Sequence, residues 1–69
     1  MDTYHAIEII GYGPRARYCI KRVERSGRFG PVTTIPVIRK AFHSELDARD
    51  AAALLGIEIM KVGDAYQII

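Results

Sequence analysis

Between Thr3 and Ile10 the side chains alternate, with His5, Ile7 and Ile9 on one parity and Tyr4, Ala6 and Glu8 on the other. A period of two predicts a β-strand with one buried face. Gly11-Tyr12-Gly13-Pro14 breaks the run and predicts a loop. Residues 16 to 25 form a second β segment around Tyr18, Ile20 and Val23. Placing Ile9 opposite Tyr18 and Ile7 opposite Ile20 gathers the apolar side chains on one face. Arg17, Cys19 and Lys21 then share the other face with Glu8. A slip of one residue mixes the two sets, so this register is preferred. Arg22 has the core parity, which predicts a bulge or frayed end beyond Lys21.

Ser26 to Pro31 carries Gly, Pro and Ser and predicts a second turn. Val32 to Ile35 is β-branched and predicts a third strand. Pro36 has no N–H for a ladder, so this strand is an edge or ends there. Val37 to Phe42 fits either a helical turn or a strand, and the extended reading is preferred. A helix follows, with Ser44 as N-cap, Asp47 completing a capping-box-like pattern, and Glu45 and Asp47 in the first turn. Ala48, Ala51, Ala52 and Leu55 recur at i, i+3, i+4 and i+7, a stripe that predicts close packing on a sheet. Gly56 is placed to end the helix. Ile57 to Val62 and Ala65 to Ile69 then read as a hairpin joined by Gly63-Asp64. That pairing sets Lys61 opposite Tyr66 and Ile59 opposite Ile68, with Ile57, Ile59, Tyr66 and Ile68 facing the helix.

The expected fold is α+β: a small antiparallel sheet with one helix packed on one face, in the order β-β-β-α-β-β. Residues 1 to 69 form a single compact domain. A chain of 69 residues is near the lower size limit for independent folding, where only about 60% of the unfolded surface is buried. A core is affordable at this size, whereas a deep substrate cavity in addition is not. With 49% hydrophobic and 26% charged residues, the composition is globular.

Charge changes the picture more than composition does. Residues 15 to 28 hold Arg15, Arg17, Lys21, Arg22, Arg25 and Arg28 against Glu24 alone, while the whole chain nets only +2. Such a concentration attracts phosphates or acidic protein surface within a Debye length of about 10 Å. Tyr12 and Phe29 flank this segment and Tyr18 lies within it, an interleaving suited to stacking bases of single-stranded nucleic acid. The plainer readings are that Tyr18 is core and that basic side chains on a strand deter edge-to-edge aggregation.

Conventional chemistry is sparse. His5, Cys19 and His43 are widely separated, and structural zinc needs four N/S ligands at characteristic spacing, so neither metal nor cofactor is expected. A lone cysteine in a strand is a small apolar filler more often than a nucleophile. Gly11-Tyr12-Gly13-Pro14 lacks the strand–loop–helix setting and the downstream Gly or Lys of a nucleotide-binding loop. Enzymatic activity is not expected. Cys19 is the only cysteine, which excludes an intrachain disulfide. The N-terminal MDTYHAIEIIGYG carries no basic region followed by a long apolar run. The longest apolar runs are far below the ~20 residues that span a bilayer. Together these favour a cytoplasmic protein that does not engage membranes.

In scale and architecture the chain resembles the compact single-domain inhibitors and regulators encoded by phages and other mobile elements, anti-CRISPR proteins among them, without a shared motif. That resemblance implies a non-enzymatic protein that masks the acidic surface of a protein or protein–nucleic-acid complex. The partner-binding residues would be Arg15, Arg17, Lys21, Arg22, Arg25, Arg28, Tyr12 and Phe29. Two alternatives stand beside it: a nucleic-acid-binding module using the basic strand, and a homodimer joined through Val32 to Ile35 or through Tyr66 to Ile69.

Overall fold

Strands β1 (Asp2–Ile10) and β2 (Arg17–Arg25) pair antiparallel in the computed structural model, which describes residues 2–69. Ile7 stands opposite Ile20 and Ile9 opposite Tyr18, the register that the alternation predicts. Ile7 and Ile20 are fully buried. Gly11 and Gly13, with φ of 81° and 63°, reverse the chain between the two strands in a region that side chains disfavour. The ladder runs unshifted from Ile10–Arg17 to Asp2–Arg25, so the bulge or frayed end expected beyond Lys21 does not occur. Arg22 keeps the core parity and is accommodated there because that part of the face is open. Its side chain retains 46% exposure and meets Glu24 at 3.0 Å.

Strand β3 (Val32–Pro36) pairs antiparallel with the other side of β2. Beyond Pro36 the chain stays beside β2 but is held at two points only. The Val37 N–H donates to the Ile20 carbonyl at 3.0 Å, and Phe42 and Tyr18 exchange two bonds of 2.8 and 2.9 Å. Residues 38–41 arch outward between those anchors. The extended reading of this segment is thus right at its ends and wrong in its middle.

Helix α1 (Glu45–Leu54) begins where Ser44 Oγ accepts the Asp47 N–H at 3.1 Å. Ala48 and Ala52 are buried and Ala51 half-buried. Small side chains at these positions let the helix come close to the sheet, over β2. Leu55, assigned by periodicity to the same stripe, is 55% exposed because the helix has already ended there. Gly56 has φ of 73° and closes the C-terminus as expected. The core on this face comprises Ile7, Ile20, Phe42, Ala48 and Ala52, bordered by Tyr18, Ile57, Ile59 and Val62.

The C-terminal hairpin does not form. Strand β4 (Ile59–Gly63) pairs parallel with β1, setting Ile7 opposite Val62, and the sheet is mixed, in the order β3-β2-β1-β4. Residues after it form a single helical turn, α2 (Ala65–Ile68). Asp64 is its N-cap, with Oδ1 accepting the Tyr66 and Gln67 N–H groups at 3.0 and 3.1 Å. Gly-Asp suits a hairpin turn and a helix cap equally, and here the cap wins. The fold also needs glycine at 63, since a Cβ there would run into the Gln67 side chain. Ile68 is therefore buried on the sheet face opposite α1, beside Ala6 and Val23, where the Tyr4 hydroxyl donates to its carbonyl. Tyr66, expected to face the helix, is 94% exposed. The α+β class stands, with one main helix on one face and a short one on the other. Among the described residues no helix is long and apolar enough to cross a membrane.

This arrangement separates two side chains that a hairpin would treat alike. Ile68→Ala is expected to lower the unfolding free energy by about 2–5 kcal/mol in urea titration. Tyr66→Ala should stay within about 0.5 kcal/mol. Equal costs would restore the hairpin.

Candidate interaction surface

Strand parity distributes the basic run over both faces of the sheet. Pairing with β1 sets Arg17 opposite Ile10, Lys21 opposite Ala6 and Arg25 opposite Asp2, all on the face away from α1. Arg22, opposite His5, lies on the α1 face. Arg15 precedes β2 in a 3-10 turn, and Arg28 follows β2 in the next loop. The eight residue steps from Arg17 to Arg25 span roughly 26 Å. Tyr12 and Arg15 therefore sit at one end of the strand and Arg28 and Phe29 at the other. The eight residues expected to bind together do not form one patch.

Five of the six cations are engaged. Lys21 Nζ lies 3.7 Å from Glu8, with side chains 17% and 16% exposed. Arg22 pairs with Glu24, and the Arg25 guanidinium donates to the Ile69 carbonyl at 2.7 Å. Arg28 lies over the Phe29 ring, 5.7 Å from its centroid, and Arg17 donates to the Ala16 carbonyl at 2.9 Å. Tyr12 and Phe29 are 89% and 94% exposed, but the strand length separates them. Tyr18 is turned toward Phe42 and α1, which is the plainer of its two readings.

The outward arch of residues 38–41 brings up two cations outside the basic run. Arg39 and Lys40 line a groove of ≈ 220 Å³ with Lys21, over a floor of Cys19, Pro36, Ile38 and Ala41. Neither Arg39 nor Lys40 forms an ion pair among the described residues. The Lys40 ammonium stands 5.2 Å from the Phe42 ring centroid, a contact that orients it without neutralising it. Arg17 lies two residues from Cys19 on the same strand face, about 7 Å along the strand. Lys21, Arg39, Lys40 and Arg17 thus gather at one edge of β2, with Arg15 just beyond. None of the chain's acids lines this groove. The only trace in the sequence is an adjacent Arg-Lys pair between Val37 and Phe42, the two residues that anchor the segment.

The remaining candidates do not converge. His5 faces the α1 side and Cys19 the other, so the sheet lies between them. Among the described residues no group of three His, Cys, Asp or Glu is placed to hold a metal ion. The Gly11–Arg15 loop encloses an open hollow of ≈ 560 Å³, lined by its own five residues and bearing Arg15 as its one cation. No family model, curated protein or solved structure matches the chain.

The two ion pairs on β2 differ in enclosure, and mutation should register it. Lys21→Met strands the enclosed Glu8 carboxylate and is expected to cost about 1–3 kcal/mol of stability. Arg22→Met breaks a more exposed pair and should cost less than about 1 kcal/mol. Matching losses in thermal or urea unfolding would contradict the face assignment.

Proposed function

We propose that this chain is a small non-enzymatic binding protein that masks an acidic surface of a partner protein through the β2 edge. The observation that carries this reading is the convergence of Lys21, Arg39 and Lys40, from two separate segments, around one groove. Arg15 and Arg17 extend the same positive region. Cations gathered on one side bias encounter toward an acidic partner and fix its orientation. The protein then acts by occupying that surface, as an inhibitor or regulator of the phage-encoded kind would.

A further observation supports a protein partner. The aromatic platform that nucleic acid would need is dispersed, since Tyr12 and Phe29 lie at opposite ends of β2 and Tyr18 faces the core. A dimer through Tyr66 to Ile69 has no strand to use, and β3 ends in Pro36, which blunts its edge.

The test is a nuclease-treated pull-down with the wild-type chain and a quadruple variant, Arg15→Glu, Arg17→Glu, Arg39→Glu and Lys40→Glu. The wild type should retain a stoichiometric acidic protein that the variant loses, with capture weakening as salt rises. Retention of nucleic acid alone, abolished by nuclease, would replace this reading with the nucleic-acid one.

A further inference from the structure

We infer that the groove between β2 and the arch of residues 38–41 receives an acidic side chain from an extended protein segment, with an apolar neighbour of that segment packing on the groove floor. This rests on the reading of the chain as a binder of acidic protein surface and names the point of capture. At ≈ 220 Å³ the groove is smaller than the roughly 300–1,000 Å³ of pockets that enclose drug-sized ligands. That volume suits one side chain better than a nucleotide. The wall is cationic and the floor is Cys19, Pro36, Ile38 and Ala41, a pairing that matches a carboxylate carried on a short hydrocarbon stem.

Charge complementarity selects the occupant. Among the described residues Arg39 and Lys40 stand without a carboxylate, whereas Lys21 is already paired with Glu8 at 3.7 Å. A carboxylate entering from solvent therefore meets two unpaired cations, of which Arg39 is a guanidinium able to bind it bidentately. The arch is tied to β2 at Val37 and Phe42, so the backbone that carries the cations is preformed.

Cys19, the only cysteine, lines the floor and reports occupancy directly. The probes are an acetylated hexapeptide alternating leucine and glutamate and a thymidine oligomer of matched charge. The peptide is expected to shift the amide resonances of residues 19–21 and 38–41. At ten times its Kd it should also slow iodoacetamide alkylation of Cys19 by roughly tenfold, following occupancy. Arg39→Glu with Lys40→Glu should weaken the peptide tenfold or more, which is about 1.4 kcal/mol or above. Arg28→Glu, at the far end of β2, should leave its affinity unchanged. Peptide binding that neither protects Cys19 nor responds to the double variant overturns the groove assignment while the broader reading stands. Equal weakening by Arg28→Glu and the double variant does the same, because it reveals a diffuse field. Binding of the thymidine oligomer without the peptide, or of neither probe, overturns both.

Discussion

The facing pair of Ile7 and Ile20 governs the rest of the molecule. Both are fully buried, and their opposition fixes the β1–β2 register along all nine pairs of the ladder. A one-residue slip would exchange the two faces and put Lys21 and Cys19 beneath the helix. With the register set, Tyr18 faces inward, and Arg17 and Lys21 are carried to the face away from α1. The same pair separates His5 from Cys19. The placement of the basic side chains is thus a consequence of apolar packing, because the cations go where the isoleucines leave room.

Features with a local physical cause were legible in the chain. Alternation placed the first two strands and their register, and the Ser44 cap and the alanine stripe placed α1. Gly56 marked its end. The C-terminal segment was not legible, because Gly63-Asp64 supports two structures of similar local merit. What decides between them is nonlocal. β4 finds its partner in β1, more than fifty residues earlier, and Ile68 finds a pocket beside Ala6 and Val23. The groove was missed for a related reason. Nothing within residues 37 to 42 reveals that Val37 and Phe42 are pinned to β2, and without those anchors Arg39 and Lys40 are two ordinary surface cations.

Each face of the sheet solves its burial problem differently. α1 and Phe42 cover Ile7 and Ile20 on one side, whereas on the other a single turn suffices to cover Ala6 and Val23. The shorter cover leaves Arg17 and Lys21 half-buried on that face. The sheet edges are meanwhile poorly suited to pairing. β3 ends at Pro36, and β4 carries an irregularity between its pairings with His5 and Ala6. Such features resist strand addition.

A net charge of +2 understates what a partner meets there. Glu45, Asp47 and Asp50 ride on α1, on the face opposite Arg17 and Lys21. The molecule is 18 Å across its thinnest dimension, about twice the Debye length of roughly 8 Å at physiological salt. Charges on one face are therefore largely screened from a partner approaching the other. The same helix acids repel an anionic partner arriving from the wrong side. Low net charge combined with segregated charge favours orientation over indiscriminate attraction, a property that suits a masking protein better than a general polyanion binder.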